Sequence, residues 1–176
     1  MNRRQLLKFT ALAGVAGAGA GFWALPRGLR PGTTDLTDAQ RVLAGLVDKV
    51  LVSTRGWNPA EVFNHCAQSI EYSMSGYPEL KPAWFRGSVG PVAFGLFTAR
   101  GAMRHPLDEA IPGARPLDAP ASQAEALGRL QLAFADFAAY QGELKAHFAY
   151  GALSHEDYAR AHVMHLYDHL SLIHLA

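Results

Sequence analysis

Cysteine is nearly absent from this sequence: Cys66 is the only one in 176 residues. That excludes an intramolecular disulfide and any zinc site built on several thiolates. An excess of one charge is also lacking. The 16 Lys and Arg stand against 15 Asp and Glu, a net charge of +1. This argues against a nucleic-acid partner, which calls for a concentrated basic surface. Acidic residues are missing altogether before Asp35. Beyond residue 34 no run approaches the ~20 uninterrupted apolar residues of a membrane-spanning helix. With 49% hydrophobic and 18% charged residues, the chain is nevertheless too apolar to be disordered. Its length suits one domain, with or without an export segment. What is present in excess is histidine. There are 8, five of them between positions 155 and 174, so metal chemistry here falls to His, Asp or Glu.

Residues 3–8 read Arg-Arg-Gln-Leu-Leu-Lys, and Phe9 to Leu25 form an Ala/Gly-rich, modestly apolar stretch. A basic start followed by such a run is the pattern of a bacterial export signal. The adjacent Arg3 and Arg4, with Leu6, Leu7 and Lys8 behind them, resemble a twin-arginine (Tat) signal. Glycines in place of a leucine run fit that route better than the general secretory one. The expectation is a Tat-type signal or anchor helix over residues 1–25 and delivery by the Tat export machinery. The destination is the periplasm or the outer face of the inner membrane. Ala16-Gly-Ala18 and Ala18-Gly-Ala20 satisfy the small-x-small rule for cleavage. Phe22, Trp23 and Leu25 prolong the apolar run and favour a membrane tether through residues 6–25. Residues 26–37 read as a linker, and 38–176 as the domain.

The domain reads as all-α. Asp38 to about Val52 is predicted as a first helix capped by Thr37 or Asp38, with Val42, Leu43, Leu46, Val47 and Val50 as its apolar stripe. Asn58-Pro59-Ala60-Glu61 is a strong helix start, with Asn58 as cap and Pro59 at the first helical position. This second helix is predicted to run to about Ser75 and stop at Gly76-Tyr-Pro78. A third segment spans about Val89 to Ala102. Arg104 to Pro120 carries four prolines and reads as an irregular crossover. Ser122-Gln-Ala-Glu125 is a capping box opening a long helix to about Phe148. Ser154 to Asp157 opens a last helix predicted to reach the C-terminus. No strand pattern of useful length is visible. The sum is a four-helix bundle with a long crossover and short extra elements.

Histidines on the last helix lie where its core face should be. At 100° per residue, with His165 at the origin, His169 falls at about 40° and His162 at about 60°. Tyr158, Ile173 and Leu166 fall at about 20°, 80° and 100° on the same arc. A buried imidazole requires hydrogen-bond partners or a metal. His165 and His169, at i and i+4, project from one face one turn apart and match two ligands of one ion. A third ligand must come from another helix, and His65 on the second helix is the best candidate. His162 is a supporting residue or an alternative ligand. His105 in the Pro-rich loop, His147 at a helix end and His155 at a helix start have simple structural readings. Cys66 reads as a small buried hydrophobe. Tyr72 and Arg86 are further helpers to consider, with packing and surface charge as their ordinary roles.

Several separated motifs carry a resemblance. Trp57-Asn-Pro-Ala-Glu-Val-Phe-Asn-His65, Gly76-Tyr-Pro78, Ile111-Pro-Gly113, His147-Phe-Ala-Tyr-Gly151 and Ala161-His-Val-Met-His-Leu-Tyr-Asp-His-Leu170 are similar to the bacterial DUF1569 proteins, over about residues 38–175. That family is grouped with the DinB/YfiT-like candidate metalloenzymes. The resemblance implies a four-helix bundle with a long crossover. It also implies a site of three histidines, one on the second helix and an HxxxH pair on the last, matched here by His65, His165 and His169. His162 departs from that pattern by making the run HxxHxxxH. Related branches include thiol-dependent S-transferases and a mycothiol-dependent isomerase, so the resemblance suggests thiol chemistry.

Three neutral imidazoles leave open positions on a divalent ion, so the arrangement suits activation of a thiol or water. Zinc or nickel fits imidazole donors best, and iron and manganese are compatible. The first expectation is an exported metal-dependent enzyme, a transferase or hydrolase, acting on a small molecule that includes thiols among its candidates. The alternative is a non-enzymatic periplasmic bundle that captures a metal or small ligand, with His162 closing the shell. Nothing in the sequence addresses oligomeric state.

Overall fold

A computed structural model of the protein describes residues 35–117 and 122–176. The expected signal, with Arg3 and Arg4, and most of the expected linker lie outside the described residues. The described chain is mostly helical, with one small two-stranded sheet. No helix among the described residues is long and apolar enough to cross a membrane.

Helix α1 (Leu36–Ala44) is shorter than predicted and is capped by Asp35, whose side chain accepts from the Thr37 backbone N–H at 2.8 Å. It ends at Gly45, and Asp48 then takes a positive φ of 59°. The predicted stripe is therefore only half real. Leu43 is fully buried, whereas Val47 and Val50 are exposed. The chain continues instead through Val50 into strand β1 (Leu51–Ser53), where Val52 takes the extended geometry that β-branched side chains favour.

Helix α2 (Pro59–Ser75) forms as predicted. Asn58 accepts from the Glu61 N–H at 3.0 Å, the Glu61 carboxylate accepts from the Asn58 N–H at 2.8 Å, and Gly76 closes the helix at a φ of 111°. It is the central helix, buried through Val62, Phe63, His65, Cys66 and Ile70. The short α3 (Ala83–Arg86) and then α4 (Val89–Arg100) follow, the latter stopped by left-handed Gly101.

Helix α5 (Gln123–Ala139) opens on the Ser122–Glu125 capping box but stops nine residues before the predicted Phe148. Tyr140 is extended, and its hydroxyl donates to the Met74 carbonyl at 3.4 Å. The chain then returns along α2, with the Lys145 N–H donating to the Ser73 carbonyl at 2.8 Å. His147 and Gly151 exchange backbone hydrogen bonds at 2.8 and 3.2 Å and close a tight loop.

Helix α6 (His155–Leu170) is capped by Ser154 and ends short of the C-terminus. Strand β2 (Ile173–Leu175) then pairs antiparallel with β1, Leu51 opposite Leu175 and Ser53 opposite Ile173. Two three-residue strands are too short to show a period of two, which is why the sequence reads as all helix.

Helix α2 packs mainly on α5 and also on α6, while α1 touches both α5 and α6. The core between them holds Phe63, Ile70, Leu130, Phe134, Phe137 and Tyr158. Arg129 of α5 ties the pair at the surface, donating to both Glu71 oxygens at 2.9 and 2.7 Å and to Asn64 Oδ1 at 3.0 Å. A second cluster of Phe94, Met103, Ala161 and Met164 joins α4 to the other side of α6. Helix α6 is therefore covered on two sides, and this places the site.

Candidate metal centre

His65 stands near the middle of α2, and His165 and His169 stand one turn apart on α6. The packing of α2 against α6 brings their Nε2 atoms together. His65 Nε2 lies 3.2 Å from His165 Nε2, and His169 Nε2 lies 3.1 Å from the same atom. Ligands about 2.1 Å from a shared ion sit at such separations. These three form a group able to hold a metal ion, with His65 and His169 buried and His165 half-buried. The expected trio is therefore assembled in space.

The donor set suits a cation. Each short contact needs a hydrogen on one nitrogen and a lone pair on the other. His165 Nε2 takes part in both, and a neutral ring offers one donor at most. Burial, and secondarily His105, pushes His65 down to about 3. Burial, followed by His65 and His105, pushes His169 down to about 2. His165 is held well below its ordinary value by burial and then by His169. At neutral pH all three are uncharged and present lone pairs, the form a metal takes up. The Nδ1 atoms of His65 and His169 are buried without a hydrogen-bond partner in the protein. Packing orients these rings instead. The Trp57 ring is stacked 6.2 Å from His169 and lies 4.8 Å from His65.

His162 is placed elsewhere. The Ser73 hydroxyl donates to the Ile70 carbonyl at 2.6 Å, so His162 Nε2–H donates to Ser73 Oγ at 3.2 Å. Its ring packs on Tyr158 and Phe137, and it stands outside the group of three. His147 does not end a helix. Its Nδ1 accepts from the backbone N–H groups of Ala149 and Tyr150 at 3.1 and 3.2 Å, inside the tight loop. His155 is exposed, as expected at a helix start, yet its Nε2–H donates to the Phe137 carbonyl at 3.1 Å. Cys66 is buried, and burial together with Asp168 pushes its thiol up, so it stays a neutral hydrophobe. Tyr72 packs against the core, 5.8 Å from the Tyr77 ring, and Arg86 Nε donates to the Lys81 carbonyl at 2.9 Å.

Two residues escape the sequence reading. His105, in the crossover after α4, lies 4.9 Å from His165 and 5.0 Å from His169 between ring centroids. Its backbone N–H donates at 3.2 Å to Asp168 Oδ2, a buried carboxylate. The helical wheel puts Asp168 on the flank of α6, where a single core face would leave it in solvent. The second cluster covers that flank. No periodic signal in the crossover marks His105; the only hint is its place among apolar residues that include Met103 and Ile111.

A cavity of about 250 Å³ opens against His65, His105 and His165, walled chiefly by Met103, Ile111, Phe148 and Tyr150. A pocket of mostly apolar walls with a few convergent nitrogen atoms is the usual form of a small-molecule site.

The fold and site thus define a helical protein with a buried three-histidine centre beside a cavity. The family model described as "Protein of unknown function (DUF1569)" matches residues 27–174, and the chain belongs to that family. No curated protein and no solved structure matches the chain.

Buried neutral histidines away from the centre carry a pH prediction. His147 and His162 are both pushed down to about 3, chiefly by burial. They are neutral in the fold and take up protons near pH 6.5 once unfolded. Their contribution to stability is therefore complete above about pH 6.5 and is lost as pH falls toward 3. The urea midpoint of metal-stripped protein should fall steadily from pH 6.5 to 4. Each such proton contributes about 1.4 kcal/mol per pH unit. His162→Gln should flatten the slope by about one proton, and a midpoint that rises on acidification would contradict the assignment.

Proposed function

We infer that this protein is a metal-dependent enzyme of the DinB-like class, holding a divalent ion on His65, His165 and His169 and acting on a small molecule through an activated thiol or water. One observation carries the reading: three neutral Nε2 atoms from two helices converge beside a cavity. The packing of α1 and α2 each against both α5 and α6, with a long crossover between α4 and α5, supports the DinB-like four-helix architecture. When bound, a divalent ion on neutral imidazoles supplies Lewis acidity that makes a thiol or water nucleophilic near neutral pH. Zinc or nickel suits these donors best, with iron or manganese next.

The chain's own residues do the rest. The Trp57 ring, packed against His65 and His169, limits their rotation. Met103, Ile111 and Phe148 give the cavity walls that exclude water and receive the apolar part of a substrate. The basic, Ala/Gly-rich start of the chain supports action outside the cytoplasm after Tat export, free in the periplasm or tethered through residues 6–25.

The test is turnover. Zinc- or nickel-loaded protein is offered small thiols with electrophilic acceptors, and separately esters and amides, while thiol loss or hydrolysis is followed. A rate at least about ten-fold above the metal-stripped protein, absent from His165→Ala, is expected. Stoichiometric metal binding with no rate above the stripped protein in either panel would overturn the enzyme reading and leave a binding module.

A further inference from the structure

Helix α4 is apolar on every side, with no charged residue before Arg100. A helix of that composition is ordinarily enclosed, but α4 is covered on one side alone. Gly90 and Phe94 are buried, against the 147–151 loop and the cluster of Met103 and Met164. Val89, Val92 and Leu96 fall within about 60° of one another on the helix, roughly opposite Gly90 and Phe94. All three are exposed, Val92 to 64%. Trp84, in the α3 turn that packs on α4, is 68% exposed, and Leu80 just before it is exposed too. A patch of this kind on a folded domain marks an interaction surface.

The charge around the patch is of one sign. From Leu80 to Leu107 there is no Asp or Glu, while Lys81, Arg86, Arg100 and Arg104 all fall there, in a chain whose net charge is only +1. Lys81 is exposed, with Nζ 5.4 Å from the Phe85 ring centroid, and Arg86 Nε donates to the Lys81 carbonyl. Neither forms an ion pair with a carboxylate among the described residues. Pairing this face with a second copy would set a basic surface against a basic surface. Tryptophan and branched aliphatic side chains beside Lys and Arg, with no acid among them, suit the headgroup layer of a bilayer. The apolar groups enter the acyl boundary and the cations meet lipid phosphates.

We propose that the face made by α3 and the outer side of α4 docks on a bilayer containing anionic phospholipid. Trp84, Val92 and Leu96 enter the interface, and Lys81 and Arg86 hold headgroup phosphates. Lys81 also lines the cavity, so docking sets the cavity beside the lipid. The proposal goes beyond the metal reading and does not depend on it.

Full-length protein labelled with 5-fluorotryptophan tests this, because a local signal separates the docked face from any membrane contact of residues 1–34. The 3 tryptophans give separate fluorine resonances, and Trp84→Phe identifies the one concerned. Vesicles of phosphatidylcholine and phosphatidylglycerol in equal parts carry a spin-labelled lipid. On them the Trp84 resonance should broaden, while that of Trp57, packed on two histidines, should not. Amide exchange over residues 89–97 should slow at least about ten-fold on the same vesicles. Phosphatidylcholine alone, or high salt, should remove most of that protection. Val92→Glu should abolish the broadening and the protection, and Lys81→Gln should lower the protection about five-fold, the worth of one charge at an anionic surface. Leu132→Glu, on α5 and exposed to the same degree at 65%, should change neither. An unmoved Trp84 resonance, equal protection on phosphatidylcholine alone, or full protection in Val92→Glu would overturn the proposal. So would protection that grows with protein concentration in the absence of lipid, which would give the face to a second copy. A Trp84 resonance shielded from a soluble relaxation agent in lipid-free monomer would also overturn it, giving the face to residues 1–34.

Discussion

His165→Ala is expected to abolish tight divalent-metal binding while leaving the fold in place. His165 Nε2 is the atom common to both short contacts, at 3.2 Å to His65 and 3.1 Å to His169. Removing it leaves two nitrogens on different helices and no third donor within the group. Loss of a partner that merely orients a ligand costs about 10- to 100-fold in affinity, so loss of a ligand should cost at least about 100-fold. The half-buried position of His165, beside the cavity, lets the truncated site collapse or hydrate without a large penalty. Competition against a chromophoric chelator gives the affinity, and elemental analysis gives the stoichiometry. A thermal shift adds an independent reading. Metal that binds only the folded state stabilises the wild type by about 2.7 kcal/mol at 100 times Kd, and so raises its melting temperature. His165→Ala should show no such rise. His65→Ala and His169→Ala should behave alike, whereas exposed His174→Ala should match the wild type. Near-stoichiometric tight binding in His165→Ala would remove the centre from these residues.

The trio is legible in the sequence because each member sits where a periodic argument reaches. His165 and His169 are four apart on a helix whose apolar residues share their arc, and His65 lies in a helix whose cap and stop are both written in residues, Asn58 through Glu61 and Gly76. His105 and Asp168 are not legible, for two different reasons. His105 lies in a proline-rich segment without a period, so its position depends on a long-range bond to Asp168 that no local rule contains. A wheel sends Asp168 to solvent because it presumes one buried face, and α6 has two, the second made by Phe94 and Met103. The over-long α5 has a plainer cause. Gly142 stands inside the predicted helix as a breaker, but Leu144 and Phe148 continue the apolar spacing. Tertiary bonds from Lys145 to Ser73 and between His147 and Gly151 have the stronger claim on that segment. The false extension hides the loop that forms one wall of the cavity.

That wall depends on a glycine. Gly90 is buried in the first turn of α4, and a Cβ there would lie 1.9 Å from the Ala149 carbonyl oxygen and 3.1 Å from Tyr150 Cα. The obstacle is backbone, so no rotamer change relieves it. Nor can the loop easily retreat. Its ends are joined by the His147–Gly151 bonds, and His147 Nδ1 receives both the Ala149 and Tyr150 N–H groups. Gly151, at a φ of 80°, is pressed against the Arg86 carbonyl, where a Cβ would come to 2.8 Å. Gly90→Ala should therefore cost about 3 kcal/mol, the upper part of the range for overpacking, and lower the melting temperature by roughly 10 °C. Because Ala149 and Tyr150 line the cavity, the variant should also bind cavity ligands more weakly while its three histidines still hold metal. Gly95 makes the contrast sharp. It lies in the same helix, and a Cβ there would meet nothing within 4 Å, so Gly95→Ala should stabilise by up to about 1 kcal/mol through helix propensity alone. Urea unfolding of the two variants side by side decides the matter. If both shift the midpoint the same way, the close approach of α4 to the 147–151 loop is not what shapes the cavity. If they diverge as expected, the same glycine that lets the helix and loop touch also sets the room in the cavity beside the three histidines.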